Sequence, residues 1–450
     1  MKKSIILIFG LLNITFLMAQ NNSYSLKQCI DYAIGSSPEV KNSTIDVVIN
    51  DNKTKEVRSK ILPHVDAEAD YLHNFNIQKI ILENGVIPAF SNPMIPYGQV
   101  IAFQLQLKNS ITGSVNASQV IFDKSLFSTL NSAKLYKELA DQNLKKTKVD
   151  VIEMVTKAYY GVLVTQQQVA FLESNLQRID SVYKETEARF KSGLVRQIDL
   201  YRIEVAMNNI KEEKEKALQN LLLSKAVLAF QMNIDKPEDI ILSDTLNESS
   251  LYDAGNITDA KIKYTDRLEY SILQTQQQIS IKNTNVAKGA FYPRLSAFAT
   301  SGYNPAATNA SDLFQSTRYF NYTYVGARLQ IPIFSGFEKN YKLRNELLAE
   351  EKLKNKKDRT EKLINLEVQQ AQINYTKSLE SIKIQKRNLN LAQENLKSIK
   401  IENEKGIVNN IEVTNAESDL RLAQNNYYNT LYQAFIAKVD FDKATGKLNN

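Results

Sequence analysis

Between Gly336 and Gly406 lie 69 consecutive residues without a single glycine or proline. Those two residue types punctuate turns and strands, so a stretch this long without them is written for helix. At the usual rise per residue it would extend roughly 100 Å. Within it Leu363, Leu366, Ile373, Ile382, Leu389 and Leu396 fall at helical spacings, the apolar stripe by which long helices pack side by side. The first half has a counterpart. After Gly113 only Gly161, and no proline, precedes Gly193, and Leu126, Leu130, Ala133, Ala140, Leu144, Val151 and Met154 keep the same rhythm. Helices of this length are rare in compact domains, so the pattern predicts an elongated helical assembly.

The two helical stretches belong to an internal repeat. Gly193-Leu194-Val195, followed by Ile198-Asp199, aligns with Gly406-Ile407-Val408, followed by Ile411-Glu412, at an offset of 213. Upstream, Ile121-Phe122 aligns with Ile333-Phe334, and Pro63 aligns with Pro293. The first half is longer between these landmarks, and the surplus falls in Asn84 to Tyr97, whose Gly85, Pro88, Pro93 and Pro96 read as a loop. Each half therefore predicts a helix, a β-hairpin, a very long helix, a glycine turn and a return helix. The boundaries expected are 20–240 and 241–450, with hairpins at about 64–122 and 294–334 and turns at 193 and 406. Helix starts recur as well: Ser25 to Gln28, Ser37-Pro38-Glu39 and Asp266 to Glu269 all carry capping patterns.

The hairpin segments alternate. Val65 to Tyr71 interleaves apolar with acidic residues, Phe103 to Lys108 alternates again, and the pattern continues in Ser114 to Ser118, Leu295 to Ala297 and Phe320 to Tyr324. A period of two with one polar face fits a barrel that meets lipid outside and water inside. Tyr303, Tyr319, Phe320, Tyr322 and Tyr324 are the expected interfacial aromatic girdle. Four strands cannot close a membrane barrel, which in a single chain begins at eight. The hairpins must then combine across chains, eight strands from two copies or twelve from three, and a symmetric ring is the natural closure.

The first residues agree with an exported protein. Lys2 and Lys3 precede an apolar run from Ile5 through Leu17, and small Ala19 precedes Gln20, Asn21 and Asn22. This reads as a signal peptide over 1–19, cut next to Ala19 or Gln20. A membrane anchor is the alternative, but the run is short and broken by Gly10, Asn13 and Thr15. No second apolar run of spanning length follows, so the outer membrane, if crossed, is crossed by strands. Cys29 is the one cysteine, which excludes an intrachain disulfide, and its apolar neighbours Leu26, Ile30 and Ala33 suggest a packing role. The formal charge of +7 is spread over helical faces also rich in acids, which argues against a nucleic-acid surface.

Taken in order, Ser25-Leu26-Lys27-Gln28-Cys29-Ile30-Asp31-Tyr32-Ala33, the two glycine–aliphatic turns, and Asn426 to Tyr432 running on to Ala444-Thr445-Gly446 resemble the TolC-type outer-membrane efflux proteins. The resemblance covers the whole mature chain. It implies a mainly α fold with a small β part: long antiparallel helical hairpins forming an α-barrel across the periplasm, and four strands per chain contributing to a trimeric twelve-stranded outer-membrane β-barrel. It implies a passive exit duct in the outer membrane, coupled through a periplasmic adaptor protein to an inner-membrane pump of RND or ABC type. It further implies that Gly193, Leu194, Val195, Gly406, Ile407 and Val408 form adaptor-contacting tips. Family members often carry Thr or Ser just beyond the aliphatic residue; here Arg196 and Asn409 stand nearby. Acidic residues beyond the second turn form the family's periplasmic gate. Glu412 matches one of them, the next expected acid falls on Asn415, and Asp199 holds the matching place in the first half.

Enzymatic readings find little to stand on. His64 and His73, with Asp66, Glu68 and Asp70 between them, are the only candidates for a metal site, and strand alternation divides them between faces. Phosphate loops, nucleophile elbows and Cys–His pairs are absent from the sequence, and no cofactor is implied. The competing expectation is a soluble periplasmic coiled-coil scaffold or adaptor, which would share the long helices but need no lipid-facing strands.

Overall fold

A computed structural model describes residues 23–104, 106–252, 263–315 and 320–449. The expected signal segment 1–19 and Tyr319 lie outside these. Strand β1 (Ser23–Tyr24) leads into α1 (Leu26–Ser36), whose start is closed reciprocally: the Gln28 amide donates to Ser25 Oγ at 3.4 Å and the Ser25 amide to Gln28 Oε1 at 2.8 Å. Helix α2 (Pro38–Ser59) begins with proline at its first position and with the Val40 amide donating to Ser37 Oγ at 3.3 Å. Strands β2 (His64–His73), β3 (Lys79–Glu83), β4 (Val100–Gln104) and β5 (Asn109–Asp123) follow. Then come α3 (Lys124–Lys191), α4 (Gln197–Met232), β6 (Ile241–Leu242) and α5 (Leu268–Gly289). The second half continues with β7 (Arg294–Tyr303), β8 (Ala306–Ala307), β9 (Asn321–Gln330), α6 (Glu338–Glu404) and α7 (Asn410–Ala444). Helices α3 and α6 hold 68 and 67 residues. Among the described residues no helix is long and apolar enough to cross a membrane.

The chain divides into two compact units. One comprises Ile45–Asn143 and Tyr270–Arg359. Its main sheet runs β2-β5-β7-β9, every pair antiparallel, with short β8 also on β5. The helix segments follow the same order. Thr54 Oγ1 on α2 donates to the Ala133 carbonyl on α3 at 3.3 Å. Ser125 Oγ on α3 donates to the Val286 carbonyl on α5 at 2.9 Å, and Gln277 on α5 reaches the Leu353 carbonyl on α6 at 3.5 Å. Asp123 closes β5 and opens α3. Its Oδ1 accepts the amides of Ser125 and Leu126 at 2.9 and 3.1 Å, while its Oδ2 lies 3.4 Å from Arg294 Nε on β7.

One reading of this unit needs correction. The alternation over Phe103 to Lys108 is not one strand. β4 ends at Gln104 and pairs with β3 in a separate hairpin around the Asn84–Tyr97 loop, and the main sheet resumes only at Asn109. The Asn84 side chain holds that loop, donating to the Asn92 carbonyl at 3.0 Å and accepting from the Asn92 amide at 2.7 Å. Alternation alone does not say which partner a strand takes.

Close approach explains one glycine. A Cβ on Gly289 would lie 2.6 Å from Ser125 N and 2.8 Å from Ser125 Cα, both backbone atoms. Gly289→Val is therefore expected to cost about 1–3 kcal/mol through overpacking. Gly35→Ala, where nothing lies within 4 Å, should be neutral or mildly stabilising. The amounts of mature protein recovered from membranes check the contrast.

The other unit comprises residues up to Thr44, Leu144–Glu269 and Thr360 onward. Cys29, Ala33, Val155, Tyr159, Val162, Leu228 and Met232 form its largest core. Burial pushes the Cys29 thiol up to about 12, so it packs and stays protonated. Further cores sit inside each helical hairpin: Ile179, Ile203 and Ile210 between α3 and α4, and Leu396, Val413, Ala416 and Leu420 between α6 and α7. Tyr160 of α3 stacks on Phe435 of α7 with centroids 4.2 Å apart. Burial alone would raise the carboxyls of Asp150 and Glu153, but hydrogen bonds from Lys146, Lys157 and Lys443 hold both below their usual range.

One further expectation shifts here, and the segment before α5 is anchored in this unit. Asp266 ends a 3-10 turn (Tyr264–Asp266), and Arg267, almost fully buried, donates to the Ala444 carbonyl at 2.9 Å and to Glu367 Oε2 at 2.7 Å. The buried seam of α6 is Ile364, Val368, Ala371, Tyr375 and Ile382, while Leu363, Leu366 and Ile373 of the expected stripe remain exposed. α6 thus carries a second apolar face.

Candidate functional site

The reversals joining α3 to α4 and α6 to α7 are built alike. Gly193 (φ 75°) and Gly406 (φ 72°) occupy the left-handed region that glycine enters without strain. Leu194 N donates to Arg189 O and Gly193 N to Phe190 O, both at 2.9 Å. Ile407 N to Glu402 O and Gly406 N to Asn403 O repeat those bonds, again at 2.9 Å. Each is a Schellman closure that satisfies the last carbonyls of a long helix. The aliphatic pairs divide their labour. Leu194 and Ile407 are 75% and 69% exposed, whereas Val195 and Val408 are half-buried. Each tip therefore presents one apolar knob and tucks the next residue under the turn.

The residues that replace the expected Thr or Ser sit at the starts of the return helices. Asn409 caps α7, its Oδ1 accepting from the Ile411 and Glu412 amides at 3.0 and 3.2 Å. Arg196 holds the cap position of α4, and its guanidinium reaches Asp199 at 3.2 Å. Arg202 lies 3.8 Å from the same carboxylate. Asp199 is thus neutralised locally. Glu412 is exposed and its carboxylate has no ion-pair partner among the described residues, and Asn415, one turn on, is exposed as well. The two first-turn acids share a sequence position but not an electrostatic state.

The two hairpins of this unit also meet through polar groups. Arg421 of α7 reaches Glu213 of α4 at 3.0 Å. Beside it a cavity of about 230 Å³ is lined by Asn175, Arg178, Asn209, Asn415 and Glu417. Asn175 Nδ2 and Arg178 Nε are buried there without a partner among the described residues. No sequence motif marks Glu213 or Arg421. Their spacing along α4 and α7 looks like any solvated helix face.

In the sheet, register sorts the side chains. Asp66↔Asn116, Asn116↔Thr300 and Thr300↔Tyr324 place Asp66, Glu68, Asp70, Tyr322, Tyr324 and Arg328 on one polar face. Ala67↔Val115, Ala117↔Ala299 and Ala299↔Val325 place Val65, Ala69, Tyr71, Ala327 and Leu329 on the other, apolar face. The expected aromatic girdle is divided accordingly. Tyr303 lies on the apolar face, and Phe320 precedes β9 with its ring exposed. Tyr322 and Tyr324 stack 6.2 Å apart on the acidic face, because residues two apart on a strand share a side. His64 and His73 likewise fall on opposite faces, and His73 Nδ1 lies 2.6 Å from Asn109 Oδ1.

Comparison with known proteins adds to this geometry. The family model "Outer membrane efflux protein" matches residues 30–233 and 273–447. Outer membrane protein TolC of Escherichia coli is 22% identical over 461 residues, covering 100% of this chain and 87% of that protein. TolC of Salmonella enteritidis is 21% identical over 460 residues with the same coverage. The solved structure of CusC superposes with a TM-score of 0.73 at 16% identity, covering 94% of this chain and 92% of that one. VceC of Vibrio cholerae gives a TM-score of 0.70 at 15% identity, covering 94% and 96%. At these identities the structures show a shared fold.

Proposed function

Because the chain belongs to the outer membrane efflux protein family, we propose how its surfaces are put to work. It is an outer-membrane channel that extends into the periplasm, a passive duct and not an enzyme, working with a periplasmic adaptor and an inner-membrane pump. The single observation that carries the membrane reading is the β2-β5-β7-β9 sheet: apolar on one face, acidic on the other, with both edges unpaired among the described residues. A soluble scaffold would have no use for the apolar face, and lipid tolerates no open edge.

Three copies joined edge to edge would make twelve strands, with the apolar face toward lipid and the acidic face toward a water-filled lumen. The helices support the same homotrimer. Leu363, Leu366 and Ile373 on α6 and Leu223, Val227 and Phe230 on α4 are exposed apolar stripes at helical spacing, suited to further helices of neighbouring copies. The knobs Leu194 and Ile407 are adaptor contacts, Gly193 and Gly406 make their turns, and Val195 and Val408 anchor them. Glu412 lines the periplasmic gate. With Asn415 in place of a second acid and Asp199 neutralised, any acidic ring there rests on Glu412 alone. The pump is of RND or ABC type.

The test is direct. The mature protein should stay with outer membranes after a high-salt wash, run as a heat-dissociable trimer in mild detergent, and open conducting pores in planar bilayers. A salt-extractable monomer without pore activity would refute the channel.

A further inference from the structure

The charges on the polar face of the sheet are not balanced within one chain. The four strands hold two basic residues other than histidine, Arg294 and Arg328, and four acids, Asp66, Glu68, Asp70 and Asp123. Arg294 has its carboxylate, Asp123 on the adjacent strand. Arg328, on edge strand β9, has none among the described residues; its guanidinium lies over the Phe298 ring at 5.4 Å. The three remaining acids all sit on the opposite edge strand, β2. Their cross-strand neighbours on β5 are Asn116, Ser114 and Thr112, and none is a cation. One edge of the sheet is therefore acidic and the other carries the unmatched base.

From this we infer that the β9 edge is a socket for the β2 edge of a second copy, with Arg328 of one chain held by Asp66 and Glu68 of the next. The inference rests on the trimeric barrel proposed above and specifies how its seams are ordered. Three observations support it. Each edge strand has ten residues. In the register that pairs all ten antiparallel, Asp66 faces Arg328, Glu68 is one diagonal step away, and Val65 meets Leu329 on the apolar side. A shift by two residues is the smallest that keeps the faces matched; in one direction it exchanges the two acids, in the other it sets His64 opposite Arg328 and leaves Asp66 on the diagonal, so Asp66 stays within reach of the long arginine side chain in each case. Second, both partners lie near the sheet end that joins helices: Asp66 is the third residue of β2, just after α2, and Arg328 is two residues before the end of β9, just before α6. Third, the pattern opposes the competing closure. Two β2 edges meeting about a twofold axis would set six carboxylates against one another, and two β9 edges would leave each Arg328 opposite a tyrosine with no carboxylate to meet. Head-to-tail pairing is the arrangement in which every seam joins unlike charges, and head-to-tail contacts close into rings.

The experiment compares the wild type with Arg328→Glu, with Asp66→Lys/Glu68→Lys, and with all three changes combined, reading the temperature at which the detergent-solubilised assembly dissociates. Either single set should lower that temperature, since each seam then faces like charges. The combined set should recover most of the loss. Combined changes as damaging as the worse single set, in an assembly that still forms, would overturn the charge pairing and leave the barrel standing. Cysteine pairs give a measure independent of charge. Val65→Cys/Leu329→Cys or Ala67→Cys/Leu329→Cys should form interchain disulfides, whereas Asp66→Cys/Leu329→Cys, on opposite faces, should not. Cross-links of the last kind would overturn the matched faces. A wild type that never assembles would instead sink the barrel itself.

Discussion

Aspartate at both Leu194 and Ile407 is expected to abolish export while leaving the assembled channel in the membrane. The turns do not depend on these side chains. They are closed by backbone bonds to Arg189, Phe190, Glu402 and Asn403 and by the left-handed glycines, and the half-buried anchors are Val195 and Val408. What the two knobs offer is apolar area for a partner. Burying a Leu or Ile side chain contributes about 1.5–3 kcal/mol, and a carboxylate in the same groove would add a desolvation cost. The proposed trimer would carry six knobs, so even a fraction of that loss at each should take an adaptor docked there off the tips. Three readouts are needed: drug or metal sensitivity of cells, co-purification with the adaptor, and the heat-dissociable assembly. Lost export and lost co-purification with the assembly intact is the expected result. Wild-type export would show that the adaptor docks elsewhere.

Glu412→Lys is expected to invert the charge preference of the pore. Asn409 already caps α7, so the Glu412 side chain is not needed to start the helix, and it has no ion-pair partner among the described residues to lose. If threefold symmetry brings three copies around one axis, three negative charges become three positive ones. Charge rings at a narrow point select ions by sign. A change of order 1 kcal/mol in the barrier, modest for charges a few ångströms from a permeating ion, corresponds to roughly a five- to tenfold change in the permeability ratio. Asp199→Asn should do much less to selectivity, because it changes one unit of charge instead of two and the carboxylate it removes is already paired with Arg196 and Arg202. Single-channel recordings under a salt gradient distinguish the two. Unchanged conductance and selectivity in Glu412→Lys would remove it from the gate.

Local chemistry made the tips and the long helices readable in advance. A glycine at the C-terminal cap, an aliphatic pair after it and 69 residues without a breaker are signals of local sequence, and they need no knowledge of the partner. Which face of α6 packs inside its own chain was not readable. Leu363, Leu366 and Ile373 fall at helical spacings, as do Ile364, Val368 and Tyr375, and periodicity cannot say which stripe meets a neighbour first. The sheet posed a different problem. Alternation announced strands, but grouping Tyr303 with Tyr322 and Tyr324 as one girdle ignored register, which puts Tyr303 opposite Asn321 on the apolar face and the other two on the polar face, opposite Gly302 and Thr300. The polar seam of Arg421 and Glu213 left no signal, because an ion pair between distant helices reads in sequence as two ordinary surface charges.

Asp123 gives the sheet a way to check its own alignment. That carboxylate is at once the end of a strand, the cap of a helix and the partner of Arg294 on the next strand. A slip of β5 by one residue would swap every side chain between oil and water. With no linker to absorb it, the slip would also turn α3 by about 100° about its axis and aim its stripe away from its neighbours. Misthreaded intermediates would then be penalised twice, by lipid and by helix packing. That suits the proposed barrel, whose closure would wait for strands from other molecules.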